Sequence, residues 1–80
     1  MKINKVIIVT GSTTGIGRAI AERCVAEGAR VLVHGRDRLH GEEVVAQLGA
    51  QAALHLDDLA DPASPARIAA AALKAFGRID

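Results

Sequence analysis

Short aliphatic runs alternate along this chain with longer stretches in which apolar residues recur every three or four positions, and turn-forming residues stand where the pattern changes. Three runs read as strands: Lys5 to Thr10 around Val6-Ile7-Ile8-Val9, Arg30 to His34, and Gln51 to Leu56. The second is almost continuously aliphatic, as a strand covered on both faces of a parallel sheet must be, and Gly35 closes it. The third holds alanines of poor strand propensity and is supported by its place in the alternation.

The intervening periodicity predicts three helices. The first starts near Gly15, sets Ile16, Ile20 and Cys24 on an apolar stripe with Ala21 and Val25 beside them, and stops at Gly28. The second takes Asp37 as its N-cap, turns Leu39, Val44, Val45 and Leu48 inward and ends at Gly49, with Gly41 weakening its first turn. The third has two possible starts, Asp61 with Pro62 or Ser64 with Pro65. A helix begun at Pro62 would need from Pro65 an N–H that it lacks, so the cap is assigned to Ser64. It ends near Phe76-Gly77.

A β-α-β-α-β-α order argues for a parallel sheet with right-handed crossovers, here the first half of a Rossmann-type doubly wound α/β fold. With strands in the order 3-2-1, the first two helices share a face and the third crosses to the other, on its way to a fourth strand beside the first. The sequence reaches Asp80 where that strand would begin, so residues 1–80 are read as a half-domain truncated before strand four, with one edge of the first strand open.

The 80 residues set a ceiling of one domain. Half are apolar and 24% charged at a net charge of +1, which argues against disorder and provides no electrostatic basis for nucleic-acid binding. A lone cysteine, Cys24, rules out an internal disulfide and a cysteine-based zinc site, and it is read as a small core residue in a reducing compartment. The basic start Met1-Lys2-Ile3-Asn4-Lys5 precedes an apolar run too short for a signal peptide, and no apolar stretch approaches the roughly 18 residues that span a bilayer. The expected location is cytoplasmic, without membrane partners. His34, His40 and His55 are too scattered for a helical metal pair and are read as structural or surface residues, so no metal site is expected.

The chemistry concentrates in Thr10-Gly11-Ser12-Thr13-Thr14-Gly15-Ile16-Gly17, between the first strand and the first helix. A glycine-rich bend there aims unpaired backbone N–H groups and the positive end of a helix dipole at one point, where a pyrophosphate fits. Gly11 permits the sharp exit, Gly15 lets backbone approach the ligand, and Gly17 lets the helix pack close. Ser12, Thr13 and Thr14 add hydroxyls that either bond ribose or phosphate oxygens or stabilise the turn. Arg18, one residue on, is read as reaching phosphate or as a surface arginine. No Gly-Lys-Ser or Gly-Lys-Thr follows, so the turn is not a P-loop.

The spacing Thr-Gly-x-x-x-Gly-Ile-Gly resembles the short-chain dehydrogenase/reductase family, and the resemblance continues through Gly28-Ala29-Arg30-Val31-Leu32-Val33, Asp58-Leu59-Ala60-Asp61 and Phe76-Gly77-Arg78-Ile79-Asp80. It implies a dinucleotide cofactor held by residues 11–17, with Asp58 accepting a hydrogen bond from the adenine amino group, Leu59 covering the ring, and Asp57 as the alternative partner. Asp80 resembles a family aspartate that braces the sheet.

NAD-using proteins place a carboxylate at the end of the second strand to bond the ribose hydroxyls. Here Gly35 takes that place and Arg36 follows, so nothing repels a 2′-phosphate and a permanently charged guanidinium is at hand. NADP is favoured over NAD, with Asp37 read either as a ribose ligand or as the helix cap.

Relatives in this family interconvert carbonyls and alcohols by hydride transfer using a Tyr-x-x-x-Lys pair with Ser and Asn. The chain contains no tyrosine, and Phe76 is its one aromatic residue, so no catalytic residue is assigned. The expectation is an NADP(H)-binding portion of a family oxidoreductase, inactive by itself, whose complete protein takes a small carbonyl or alcohol substrate. The alternative is a non-catalytic nucleotide-binding or regulatory module completed by self-association or by a partner at the open edge.

Overall fold

The computed structural model describes residues 5–80, and the basic start at residues 1–4 lies outside them. β1 (Val6–Val9), β2 (Arg30–Gly35) and β3 (Ala52–Leu56) form one parallel sheet in the order β1-β2-β3. Val9 stands beside Val33, and His34 beside His55. α1 (Gly15–Ala26), α2 (Arg38–Leu48) and α3 (Ser64–Phe76) connect and follow the strands, with a short 3-10 turn at Gly49–Gln51 leading into β3. The anticipated order and fold class are observed.

Side chains alternate across a strand, so the sheet has two separately packed faces. Val9, Val31 and Val33 meet Ala21 of α1 and Val44 of α2, with Ile7, Cys24, Val25, Val45 and Leu54 filling in around them. On the opposite face Leu32 meets Ile68 and Ala72 of α3, flanked by Ile8, Ala53 and Phe76. β2 is central and covered on both sides, which explains its unbroken aliphatic run. The alanines of β3 allow the helices to pack closely against a strand that propensity alone disfavours.

Three expectations are corrected. Ile16 is 82% exposed and Ile20 48% exposed, because the inward stripe of α1 is Ala21, Cys24 and Val25 rather than the row Ile16-Ile20-Cys24. Leu39 is also exposed, while Gly41 faces inward: a β-carbon there would come within 2.6 Å of a Leu54 methyl, so the glycine that weakens the helix start is what allows α2 to approach β3.

Ser64 is not the cap of α3. It is the first helical residue, fully buried, and its Oγ has no hydrogen-bond partner among the described residues. Asp61 takes the capping work instead: its Oδ1 accepts from Ala63 N at 2.9 Å and its carbonyl accepts from Ser64 N at 3.0 Å. An aspartate closing a local turn on its own backbone competes well with a serine already drawn into the first helical turn. Asp37, by contrast, does cap α2, accepting from Leu39 N and His40 N, so its carboxylate is committed to the helix.

Candidate dinucleotide site

All three strands end at the same edge of the sheet, and a cleft of about 440 Å³ opens there, within the roughly 300–1,000 Å³ usual for small-molecule sites. Gly11, Thr13 and Thr14 of the glycine turn form one wall, and His34 and Gly35 at the end of β2 form the floor. Arg36, Asp37 and His40 stand at the rim, facing Asp58 and Leu59 beyond β3. The fold thus brings the glycine turn, the end of β2 and the segment after β3 to one place, at the carboxyl ends of parallel strands where open α/β sheets bind ligands.

Within the turn the residues divide by role. Gly11 and Gly15 have φ of 62° and 58°, the left-handed region that favours glycine. A β-carbon on Gly15 would meet nothing within 4 Å, so that position leaves space free for a ligand. At Gly17 a β-carbon would lie 2.3 Å from the Gly11 carbonyl oxygen, so the glycine seats the first turn of α1 on the exit of β1. Thr14 is the N-cap residue of α1 but makes no capping hydrogen bond through its side chain. The helix start therefore keeps unpaired donors beside the cleft.

Ser12 is turned away from the cleft. It is fully buried, its N–H donates to His34 O at 2.8 Å, and its Oγ accepts from His34 N at 2.9 Å. Its hydroxyl is spent on fastening the turn to β2. Ile16 lies at the helix start, largely exposed and outside the cleft lining.

At the rim the Arg36 guanidinium reaches to 3.7 Å from Asp58 Oδ2, with both side chains more than half exposed. Such a long, solvated pair holds neither partner firmly. Asp58 also accepts from Ala60 N through Oδ1 at 2.9 Å, which sets the direction of its carboxylate. Asp57, the other adenine candidate, points elsewhere. Arg67 binds it through two parallel hydrogen bonds of 2.8 and 2.7 Å and His55 Nε2 adds a third contact at 2.9 Å. These hold its carboxyl well below the usual carboxylate range, the Arg67 bond first and the His55 bond next. Arg67 also bonds Asp61, and the network ties the end of β3 to the start of α3.

Arg18 does not face the turn; it pairs with Glu43 at 3.4 Å and with Gln47, joining α1 to α2. Asp80 clasps the start of β1, its N–H donating to Val6 O and its Oδ2 accepting from Val6 N, both at 2.9 Å. Arg78 beside it and the Val6 amide lower its carboxyl pKa.

His34 is the site residue that sequence reasoning passed over. It is 2% exposed, with Nδ1 accepting from Gly11 N at 3.0 Å and Nε2 placed 3.2 Å from the Asp57 carbonyl. No motif marks it. Only the register of β2 against the glycine turn brings its ring between the two loops.

An anion-binding turn at the head of a three-layer parallel α/β unit defines a Rossmann-type nucleotide-binding class. Comparison with known proteins gives the family: the short chain dehydrogenase profile matches residues 5–80, and the chain belongs to that family. It is 44% identical over 77 residues to the 1,6-dihydroxycyclohexa-2,4-diene-1-carboxylate dehydrogenase of Pseudomonas putida, a match covering 95% of this chain and 29% of that protein. It is 41% identical over 85 residues to the L-rhamnose 1-dehydrogenase (NAD(P)(+)) of Azotobacter vinelandii, covering 98% and 33%. Among solved structures, the 3-ketoacyl-(acyl-carrier-protein) reductase of Brucella melitensis complexed with NADH superposes with a TM-score of 0.90 at 33% identity, over 95% of this chain and 31% of that one. The chain therefore spans about a third of the length of these relatives.

Proposed function

We propose that this chain is the NADP(H)-binding portion of a short-chain dehydrogenase/reductase that interconverts a carbonyl and an alcohol, and that it works in the cytoplasm. The observation that carries the reading is the cleft itself, which the glycine turn shares with Arg36 and which has a glycine rather than a carboxylate at the end of β2. The relatives support the reaction class, since each is named as a dehydrogenase or reductase.

The residues present fit a dinucleotide. Backbone amides of residues 13–17 would hold the diphosphate, Arg36 a 2′-phosphate, and Asp58 with Leu59 the adenine. Bound there, the nicotinamide would supply the hydride acceptor or donor. This chain's own residues orient the cofactor and go no further: with no tyrosine in the sequence, the family's proton donor has no counterpart, and the 80 residues are expected to show no turnover. Among the described residues no helix is long and apolar enough to cross a membrane.

Fluorescence titration of the purified protein with NADPH and NADH tests the proposal. Saturable binding with NADPH tighter than NADH is the expected result. Binding of neither nucleotide would overturn the cofactor assignment, and tighter binding of NADH would overturn the choice of NADP.

A further inference from the structure

His34 connects the two loops that frame the cleft. Its Nδ1 receives the Gly11 N–H at 3.0 Å, and its Nε2 lies 3.2 Å from Asp57 O. A backbone N–H only donates and a carbonyl only accepts, so both contacts are satisfied by one form of the ring alone, the neutral imidazole carrying its proton on Nε2. Adding a second proton places a hydrogen on Nδ1, facing the hydrogen of Gly11. The Asp57 contact survives protonation, while the Gly11 contact is replaced by two opposed donors. The ring is 2% exposed and held on both sides, so it has little room to turn away from the opposed donor, and the exposed Gly11 must move instead.

We infer that His34 is a positioning residue for the glycine turn, that it acts as a neutral imidazole, and that its protonation loosens the turn and weakens dinucleotide binding. The inference rests on the dinucleotide reading of the cleft. Gly11 is the residue through which the effect passes: its N–H meets His34 while its carbonyl, on the next peptide unit, sits against Gly17, so a shift of Gly11 is transmitted to the start of α1.

The charged and titratable groups around the ring are mostly engaged with one another, the loose Arg36–Asp58 pair apart. On β3 and the segment after it, His55 stands beside His34 and bonds the Asp57 carboxylate, which Arg67 of α3 holds from the other side. At the rim Arg36 faces Asp58, and at the start of α2 His40 pairs with Asp37 at 3.1 Å. Residues 9–17 contribute no ionisable side chain. His40 and His55 also carry imidazoles, so the test must separate them from His34.

The separating variant is His34→Asn, whose Oδ1 offers an acceptor to Gly11 but does not titrate, in a protein that keeps His40 and His55. NADPH affinity is measured for the wild type, His34→Asn and His34→Leu between about pH 8 and pH 5.5, the span in which imidazoles change charge. The wild type is expected to lose about tenfold more affinity than His34→Asn over that span, which cancels the titration of the nucleotide itself. His34→Leu is expected to bind about tenfold more weakly than the wild type at pH 8. Equal pH profiles in the wild type and His34→Asn would overturn the inference while leaving the cofactor assignment standing. Nitrogen-15 NMR of the ligand-free protein supplies a readout independent of nucleotide: the Nε2–H tautomer and a Gly11 amide whose shift follows His34 titration support the inference, and an Nδ1–H tautomer or an unresponsive Gly11 amide defeats it.

Discussion

A side chain at position 35 would collide with Thr13: a β-carbon built on Gly35 lies 2.4 Å from Thr13 Cγ2 and 2.8 Å from its Oγ1. Thr13 is itself 7% exposed and has little room to retreat. On the proposed cofactor assignment position 35 is where a ribose-binding carboxylate would enter, and the contact with Thr13 then disfavours an acid there. Gly35→Asp by itself is expected to destabilise the fold by about 1–3 kcal/mol through overpacking and to abolish NADPH binding. Combining it with Thr13→Gly should restore the thermal midpoint and turn the preference toward NADH, as read by denaturation and nucleotide titration.

Arg36 has no firm partner in the protein, so its removal should be felt by the ligand and hardly by the fold. Arg36→Ala is expected to weaken NADPH binding by about ten- to a hundredfold, the worth of a charge-assisted contact, with NADH binding unchanged. Parallel titrations with the two nucleotides check this.

Asp57 gives the fold a dependence on acid. Its carboxyl is held below the ordinary carboxylate range by Arg67 and then His55, so the unfolded chain binds the proton more readily than the folded one. The stabilisation it contributes is complete above the unfolded value, about pH 4, and is lost progressively as the pH falls further. Urea midpoints measured from pH 6 to pH 2 should fall steeply below about pH 4 in the wild type. In Asp57→Asn they should start lower and fall less.

Two glycines predict opposite tolerances. At Gly17 an added methyl meets the Gly11 backbone carbonyl at 2.3 Å, which cannot move without displacing the turn. Gly17→Ala is expected to cost about 3 kcal/mol and to abolish nucleotide binding. At Gly41 the obstacle is a terminal methyl of Leu54 at 2.6 Å, which a rotamer change can relieve. Gly41→Ala is expected to change stability by less than about 1 kcal/mol, helped by the better helix propensity of alanine. Thermal denaturation and titration of both variants test the contrast.

Ser64 distinguishes its two readings by sign. A capping serine loses about 1 kcal/mol on conversion to alanine. A buried hydroxyl without a partner is expected to gain up to about that amount, because the desolvated group is removed. The structure predicts that Ser64→Ala raises the thermal midpoint, and that Asp61→Ala, which removes the acceptor at Ala63 N, lowers it.

The central place of β2 and its two covered faces were legible from periodicity, because a strand with helices on both sides needs a nearly continuous aliphatic run such as Val31-Leu32-Val33. Asp37 was legible as a cap on local grounds, since an N-cap needs only its own next three residues. Ile16, Ile20 and Leu39 were misplaced because apolar character at helical spacing does not say which of two neighbouring stripes faces the sheet. Ala21 and Gly41 take the inward positions, where close approach counts for more than size. Local sequence likewise does not show that Asp57 is held by Arg67, ten residues on, while Asp58 stands at the cleft.

By itself, then, the sequence determined the alternation of elements, the glycine turn between β1 and α1, and the absence of a carboxylate from position 35, all of which are local features of residue order and spacing. Only the tertiary structure decided that Ser12 faces inward, that Thr13 closes position 35, and that His34 spans Gly11 and Asp57. Those contacts join residues more than twenty positions apart, and their geometry is set by how the strands register and how closely the helices settle on them.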